Sequence, residues 1–413
     1  MTCRVCGARD VEEVLDLGEQ PHCNSLLTPD QLSLDEPTYP LRLGFCQQCT
    51  TSQIDFTVPK ETMFSNYLYV SGTTQTLREH FRASVGRLIK RLGLHADDLI
   101  VDIGSNDGSW LKEFQAAGMQ GLGVEPAGNL AEQAERDGIP TLNRYFDAAT
   151  AEAILTRGVA PRLITAAGVF FHLEELHSAT QGVAHLCREG AVLCVQAIYL
   201  GAMLGQNAFD QIYHEHLTYW TLSSFERLME LYDLEVISVD LIPVHGGSVE
   251  MLVSSKGTRP VERSVARLRK REREQGLTEI ETYLAFADRV WAMRDSLLEV
   301  LENQAATGRS VHAFGAPAKG ATLLNSFGLT TDLVQLAVER NPLKVGRVIP
   351  GARIPIVEEG SVPEPDAYLM LPWNFLEEFV TRRADYLQAG GQFIVPIPEP
   401  HIVDASVLSV EGG

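Results

Sequence analysis

The sequence carries little positive charge for its size. Its 413 residues include 34 Lys and Arg against 54 Asp and Glu, a formal net charge of −20 at pH 7. Proteins that bind nucleic acid present a basic face to the phosphates, so this balance argues against a nucleic-acid partner. A polyanionic small molecule would have to be held by a few local Lys, Arg or backbone N–H groups.

Long hydrophobic runs are also missing. No apolar run approaches the ~20 residues that a membrane-spanning helix needs, and the opening Met-Thr-Cys-Arg-Val-Cys lacks a signal-peptide pattern. We therefore expect a cytoplasmic protein without a membrane partner. The length predicts two or three domains, and a composition of 45% hydrophobic and 21% charged residues is typical of globular proteins.

Cysteine is scarce, and four of the seven cysteines form two Cys-x-x-Cys pairs: Cys3, Cys6, Cys46 and Cys49. Four thiolates are the ligand set of a closed tetrahedral structural zinc site, and we predict about one zinc ion per chain. The long segment between the pairs carries scattered proline and glycine, which predicts short strands and turns. The other three cysteines lack such spacing, and we expect Cys187 and Cys194 to be core residues around a strand.

A strand–turn–helix pattern follows further along the chain. The apolar run that contains Asp102 is followed by Gly104 and Gly108, which permit positive φ and a close approach of the backbone to a ligand. A second apolar run ends at Glu125, where a carboxylate can accept hydrogen bonds from both hydroxyls of a ribose. NAD and S-adenosylmethionine both fit such a site.

The first loop separates these two cofactors. It reads Asp102-Ile-Gly-Ser-Asn-Asp-Gly108, with an acid at the strand end, and not the Gly-x-Gly-x-x-Gly of dinucleotide enzymes. This opening resembles motif I of the class I methyltransferases, and Asn106 within the loop is a further cofactor candidate. His172 follows a later predicted strand, where such folds place residues that face the reactive methyl group. A satisfied core histidine is the alternative for His172.

Four consecutive residues, Tyr213-His-Glu-His216, combine two imidazoles, a carboxylate and a phenol between apolar neighbours. Titratable groups in apolar surroundings are suited to general acid or base catalysis. A helical backbone would place Tyr213 and His216 on one face, and an extended backbone would pair His214 with His216. A polar loop or a hydrogen-bonded pair of core histidines is the alternative.

The last third begins with a charged segment, Arg259 to Thr307, whose apolar spacing predicts a long helix or helix pair. Ser310 to Gly315 then predicts a second strand–loop–helix, with Lys319 entering the helix. A helix N-terminus with a lysine suits a diphosphate group. A purely structural loop is an equal alternative at this point.

With these motifs assembled, the chain resembles the deoxysugar C-methyltransferases of antibiotic pathways over nearly its whole length. The motifs are the paired Cys-x-x-Cys segment with Pro21-x-x-Asn24, Asp102–Gly108 with Gly123-Val-Glu-Pro126, Tyr213–His216, His245-Gly-Gly-Ser248, Gly315–Gly320 and Arg340-Asn-Pro342. Such enzymes methylate a carbon next to the keto group of a nucleotide-linked 4-keto-deoxysugar. Cys23 and the Thr-Thr after Cys49 depart from the commonest family residues, but both lie in the zinc domain.

The resemblance implies an α/β protein in three parts. These are a small zinc-binding domain (residues 1–70), a class I, Rossmann-like methyltransferase domain (71–255), and a helical linker with a second Rossmann-like domain (256–413). The implied cofactors are S-adenosylmethionine and structural zinc. The implied substrate is a dTDP-4-keto-deoxysugar, methylated at C-3 in preference to C-5, and we expect a monomer or weak homo-oligomer.

The resemblance also implies roles for individual residues. His216 would be the base that removes a proton next to the ketone, and Tyr213, Glu215 and His172 would orient it or hydrogen-bond the enolate. Tyr67 is similar to the family's active-site tyrosine, although Tyr69 could take its place. The cofactor-binding candidates are Asp102, Gly104, Asn106, Gly108 and Glu125. The substrate-binding candidates are His245, Lys319 and Asn341.

Three other functions remain possible from the sequence. The chain could be a catalytically inactive, methyltransferase-like zinc scaffold, a sugar O-methyltransferase, or a nicotinamide-dependent sugar-nucleotide enzyme. A scaffold has no need of the Tyr213–His216 cluster or of two cofactor acids, which argues against the first.

Overall fold

The computed structural model describes residues 1–60, 63, 72, 75–244 and 246–409. Three residues discussed above, Tyr67, Tyr69 and His245, lie outside the described residues. No helix within the described ranges combines the length and the apolar character needed to cross a bilayer.

The strands and helices alternate along most of the chain. The strands are β1 (Val11–Pro21), β2 (Thr38–Cys46), β3 (Ser52–Ile54), β4 (Leu99–Ile103), β5 (Gln120–Val124), β6 (Thr141–Leu142), β7 (Leu163–Ala167), β8 (Val192–Ile198), β9 (Thr218–Tyr219), β10 (Leu234–Ile242), β11 (Ser248–Ser255), β12 (Val311–Phe314), β13 (Ala337–Glu339), β14 (Ile356–Glu358), β15 (Ala367–Met370), β16 (Gln392–Val395) and β17 (His401–Val403). The helices are α1 (Gln75–Leu92), α2 (Ser109–Ala116), α3 (Gly128–Arg136), α4 (Ala148–Leu155), α5 (Leu176–Arg188), α6 (Leu200–Gly205), α7 (Leu222–Glu230), α8 (Arg263–Glu274), α9 (Ile280–Ala306), α10 (Ala318–Ser326), α11 (Leu376–Arg382) and α12 (Ala384–Gln388). Short 3₁₀ turns occupy Pro29–Ser33, Phe209–Gln211, Trp373–Phe375 and Ala405–Ser409.

The first sheet is antiparallel, in the order β1-β2-β3-β9. The predicted strands between the two cysteine pairs are confirmed, because β1 and most of β2 fill that segment. Strand β9 comes from the middle of the chain, directly after the Tyr213–His216 cluster, and pairs with β3. The amino-terminal sheet is therefore joined by backbone hydrogen bonds to the segment that bears the candidate base.

The second sheet has seven strands in the order β10-β11-β8-β7-β4-β5-β6. Strands β6, β5, β4, β7 and β8 are parallel, and β11 runs antiparallel to both β8 and β10. Every residue of β4 is buried, as expected for a central strand covered by helices on both faces. The strand order switches between β4 and β7, because β5 and β6 follow β4 on one side and β7 and β8 lie on the other. In such sheets ligands bind at the carboxyl ends of the strands beside this switch point.

The third sheet repeats this architecture, with the order β14-β13-β12-β15-β16-β17. Strands β14 to β16 in this order are parallel, and β17 is antiparallel at the edge. Its switch point lies at β12, whose carboxyl end leads through a short loop into α10. The second Rossmann-like unit is confirmed, and the predicted helix pair before it corresponds to α8 and α9.

One continuous hydrophobic core connects the three sheets. Buried apolar side chains such as Leu43, Val101 and Ala313, one from each sheet, belong to the same cluster. Cys194 is buried on β8 and Cys187 on the preceding helix α5, as predicted for core residues. The domain limits predicted at residues 70 and 255 stay predictions.

Candidate active site

A large cavity of about 1290 Å³ lies where the carboxyl ends of the second and third sheets meet. Pockets for drug-sized ligands span roughly 300–1,000 Å³, so this cavity has room for more than one small molecule. Predicted site residues from both halves of the chain line it: Gly104, Asn106, Glu125, His172, Tyr213, Glu215, His216, Lys319 and Asn341.

The loop after β4 shows why it needs glycine. Gly104 has φ +65°, and a Cβ built on it would lie 2.6 Å from Cγ2 of Val169. Asn106 follows with φ +52°, a conformation that asparagine tolerates better than most residues. Gly108, at φ +73°, caps the start of α2. Positive φ at Gly104, Asn106 and Gly108 therefore shapes the loop, and Gly104 and Asn106 line the cavity.

Glu125 is held at the end of β5 by backbone groups. Its two carboxylate oxygens accept hydrogen bonds from the backbone N–H groups of Asn106 (2.9 Å) and Ala127 (2.8 Å). These bonds fix the carboxylate and leave further lone pairs that could receive ribose hydroxyls. Burial raises the pKa of the Glu125 carboxyl despite these hydrogen bonds.

Asp102 lies beneath the loop, away from the cavity wall. It is 4% exposed, and its Oδ1 accepts a hydrogen bond of 2.7 Å from Oγ1 of Thr165 on β7. Burial raises the pKa of Asp102 to about 7. The structure thus gives Asp102 a position that ties β4 to β7, while a direct contact with cofactor stays a prediction.

The Tyr213–His216 segment forms a tight turn between a 3₁₀ turn and β9. The His216 N–H donates a hydrogen bond of 2.8 Å to the carbonyl of Tyr213. The two rings lie against each other, tilted by 36° with centroids 3.9 Å apart, so the arrangement agrees with the shared face expected for a helical backbone. His214 points elsewhere, toward the carbonyl of Pro40 at 3.2 Å.

The candidate base, His216, is 3% exposed. Its Nδ1 lies 2.8 Å from the carbonyl oxygen of Gln211. A carbonyl can only accept a hydrogen bond, so Nδ1 carries the proton and Nε2 carries the lone pair in the neutral ring. Phe171 packs edge-on against the ring at 4.5 Å. The surroundings fix both the tautomer and the orientation of the imidazole.

His172 is half-buried in the cavity wall beside His216, with ring centroids 5.1 Å apart. Its Nδ1 lies 2.5 Å from the carbonyl oxygen of Glu215, so the same argument assigns its proton. Burial lowers the pKa of His172 against the opposing effect of Glu215. Burial also raises the pKa of Tyr213 well above its usual value, so this phenol remains a neutral hydrogen-bond donor.

Glu215 is 1% exposed and contacts residues of the amino-terminal domain. Its Oε1 accepts a hydrogen bond of 2.5 Å from Nδ2 of Asn24 and lies 3.1 Å from Nε2 of His22. Burial raises the pKa of the Glu215 carboxyl, but the neighbouring His22, His172 and Asn24 outweigh it and lower the pKa to about 2. Glu215 is therefore a buried carboxylate.

Lys319 lies in the cavity wall on the first turn of α10, where its ammonium group contacts three other side chains. Its Nζ donates to Oδ1 of Asn374 (2.5 Å), lies 3.8 Å from Oδ2 of Asp210 and sits over the Trp373 ring at 4.2 Å. Burial lowers the pKa of Lys319, and Asp210 opposes this. Asn341 lies nearby, where its Oδ1 accepts the N–H of Leu343 at 3.0 Å.

The four paired cysteines converge at one end of the first sheet. Their sulfur atoms all lie within 4.8 Å of one another, with Cys3 and Cys49 3.4 Å apart and Cys6 and Cys46 3.6 Å apart. Zn–S bonds of about 2.3 Å at tetrahedral angles place sulfurs about 3.8 Å apart. Backbone N–H groups of Val5 and Cys6 point at the Cys3 sulfur. The donor set fits zinc.

Sequence reasoning missed several residues of this site. His22 and Asn24 reach Glu215 from 191 or more positions away, and Asp210 and Trp373 surround Lys319. The Pro21-x-x-Asn24 motif was a signal, but its partner could not be deduced because no local pattern links the two segments.

Comparisons with known proteins agree with this architecture. Three family models match in chain order: a zinc binding domain (residues 3–64), a methyltransferase domain (77–239) and a C-methyltransferase C-terminal domain (243–398). The C-methyltransferase NovU of Streptomyces niveus is 35% identical over 406 residues, which cover 98% of this chain and 97% of NovU. The chain belongs to this C-methyltransferase family. It is an S-adenosylmethionine-dependent methyltransferase with a zinc-binding domain.

Solved structures give weaker similarities. Magnesium protoporphyrin IX methyltransferase from Synechocystis PCC 6803 is 12% identical, with 43% of this chain and 79% of that chain covered and a TM-score of 0.32. The PH0226 protein from Pyrococcus horikoshii OT3 is 11% identical, with 49% and 100% covered and a TM-score of 0.36. Similarities this low support no conclusion about this chain.

Proposed function

We propose that this C-methyltransferase adds a methyl group to a carbon next to the keto group, C-3 in preference to C-5, of a dTDP-4-keto-deoxysugar in antibiotic biosynthesis. The observation that carries the proposal is His216, a buried imidazole in the cavity wall whose Nδ1 is committed to the Gln211 carbonyl. Such a ring is prepared to accept a proton at Nε2.

The chemistry explains why a base is needed. A ring carbon has no lone pair, so it must first become an enolate by losing a proton next to the ketone. S-adenosylmethionine, when bound, supplies an electrophilic methyl group. In our proposal Nε2 of His216 takes the proton, and the electron pair of the C–H bond moves toward the keto oxygen.

The enolate oxygen needs hydrogen-bond donors, which in an enclosed site can stabilise such charge strongly. The Tyr213 phenol, kept neutral by burial, and the ring of His172 lie in the same wall as His216. We propose that the Tyr213 phenol donates to the enolate oxygen, while the His172 ring, whose proton is held on Nδ1 by the Glu215 carbonyl, and the Glu215 carboxylate orient the base.

The far end of the cavity suits a diphosphate despite the net negative charge of the chain. Four cations line this end, Lys319, Arg340, Lys344 and Arg382, together with the carboxylates of Glu339, Glu359 and Glu378. Arg340 and Arg382 both pair with Glu359, at 3.3 and 3.7 Å. Lys344 donates to the Ala316 carbonyl at 2.8 Å, and the first turn of α10 opens beside it. We propose that this group, together with Asn341, holds the nucleotide end of the substrate.

Proton exchange without a methyl donor tests the proposal. The protein would be incubated with a dTDP-4-keto-6-deoxysugar in D₂O, and the C-3 and C-5 proton signals followed by NMR. We expect enzyme-dependent loss of the C-3 signal, because enolate formation exchanges that proton. His216→Asn should slow both exchange and methyl transfer by on the order of 10²-fold or more while S-adenosylmethionine still binds.

A matched control is His177→Asn, since His177 is exposed on α5 and hydrogen-bonds Tyr232 at 2.7 Å. The His177 variant should catalyse exchange of the substrate proton at the wild-type rate. Near-normal exchange by the His216 variant would show that another residue is the base. Exchange at C-5 would show that the proton is removed from C-5 and not from C-3. No exchange with or without S-adenosylhomocysteine, across several keto sugars, would favour a sugar O-methyltransferase or an inactive scaffold.

A further inference from the structure

A second group of potential metal ligands lies apart from the four paired cysteines. A nitrogen of His22, the sulfur of Cys23 and a carboxylate oxygen of Glu215 lie within 4.8 Å of one another. All three residues are buried, with 4%, 4% and 1% of their surfaces exposed. Two come from the end of β1 and one from the catalytic turn, so the group joins two parts of the fold.

The His22 ring is oriented as a metal ligand would be. Its Nδ1 lies 3.1 Å from Oγ of Ser25, a partner that can accept the Nδ1 proton. Its Nε2 is buried and faces Oε1 of Glu215 at 3.1 Å. Metal-ligating histidines usually donate their other ring N–H to a second group, as His22 can to Ser25.

The distances and charges also fit a divalent ion. Metal bonds of about 2.0–2.2 Å from nitrogen and oxygen, at a tetrahedral angle, separate those two atoms by about 3.3–3.5 Å. The observed separation of 3.1 Å is slightly shorter than this range, so the two side chains would move apart a little around an ion. One thiolate and one carboxylate balance a divalent cation, whereas without it a buried carboxylate faces a thiol and an imidazole.

We propose that His22, Cys23 and Glu215 form a second metal site, for zinc or a similar borderline divalent ion. A mixed nitrogen, sulfur and oxygen set favours such ions over magnesium or calcium. Binding releases the Cys23 thiol proton to solvent, and no oxidant or reductant is needed. Asn24 and Glu215 line the main cavity, which provides a path for entry.

Metal stoichiometry tests this inference without relying on methyl transfer. The full chain would be dialysed against micromolar zinc, freed of excess, and analysed by inductively coupled plasma mass spectrometry. We expect two zinc ions per wild-type chain and one in both His22→Leu and Cys23→Ala. The matched control Cys187→Ala, which removes a buried cysteine on α5, should keep two.

Cobalt provides a second measurement. Cobalt(II) titrated into chelator-treated protein should give a wild-type minus Cys23→Ala difference spectrum that contains a thiolate-to-cobalt charge-transfer band. One zinc ion per wild-type chain would overturn the proposal whether or not the variants fold. Two ions that persist in both variants would place the second ion elsewhere and overturn it equally.

Discussion

At the scale of single residues, backbone carbonyls determine which ring nitrogen carries the proton in the two histidines of the cavity. His216 and His172 each place Nδ1 against a main-chain oxygen, of Gln211 and Glu215 respectively. Both acceptors belong to the same short segment as His216. The turn that presents the candidate base therefore also fixes its tautomer, which a sequence motif alone does not reveal.

Asp102 leads to a prediction about pH and stability. Burial raises the pKa of Asp102 to about 7, and Glu125 adds to this, while the Thr165 hydrogen bond opposes it. The folded chain thus retains a proton that the unfolded chain releases near pH 4. Its contribution to stability is fully present below pH 4 and declines as the pH rises toward 7.

Asp102→Asn keeps an acceptor for Thr165 but cannot ionise. We expect the stability of the variant relative to wild type to increase between pH 5 and pH 8, by on the order of a few kcal/mol in the free energy of unfolding. Thermal melts at several pH values measure this. Parallel curves for the two proteins would show that Asp102 does not titrate in this range.

Residue patterns predicted which residues lie together in the candidate site better than they predicted the contacts between them. The loop of Gly104 and the Tyr213–His216 cluster could be recognised because their residue types are local and unusual. The contact of Asn24 with Glu215 spans 191 positions. Lys319 contacts Asp210 and the Trp373 ring, which come from distant parts of the sequence. No periodicity encodes such contacts.

At the scale of elements, the loop between β4 and α2 gives the next prediction. Gly104→Ala adds a Cβ within 2.6 Å of Val169, in a backbone conformation that side chains rarely adopt. We expect at least a tenfold loss of S-adenosylmethionine affinity, because the loop must move away from the cavity. Isothermal titration calorimetry measures it.

The control for this variant separates backbone strain from the clash. Gly158 also has positive φ, at +85°, but nothing lies within 4 Å of its added Cβ. Gly158→Ala should lower the melting temperature slightly and leave cofactor affinity unchanged. If the Gly104 variant bound S-adenosylmethionine as tightly as wild type does, the loop would not contact the cofactor closely.

The first turn of α10 allows two roles for Lys319. If it holds a diphosphate, Lys319→Ala should raise KM for the nucleotide-sugar at least tenfold with S-adenosylmethionine affinity unchanged. If it only holds Asp210 and Trp373 in place, the melting temperature should fall and KM should change little. Arg269→Ala, which breaks the surface pair with Glu226, serves as a control for the loss of a cation.

At the scale of the whole molecule, the zinc-binding domain supports the framework of the candidate active site. Strand β3, close after Cys49, pairs with β9, close after His216, through Ser52 opposite Tyr219 and Gln53 opposite Thr218. The composition and the cysteine spacing predicted a zinc domain but not this pairing, because a two-residue strand such as β9 leaves almost no pattern in a sequence.

This connection predicts that the four-cysteine site supports catalysis from a distance. Cys46→Ser removes one of four zinc ligands at the end of β2, so the β2–β3–β9 pairing and the Asn24 contact to Glu215 should loosen. We expect turnover to fall at least tenfold while S-adenosylmethionine, whose predicted site follows β4 and β5, still binds. Methyl-transfer assays and calorimetry on the same preparation measure both, with Cys187→Ser as the control for a lost thiol. Full turnover in a zinc-depleted variant would show that the domain stabilises itself and not the catalytic turn.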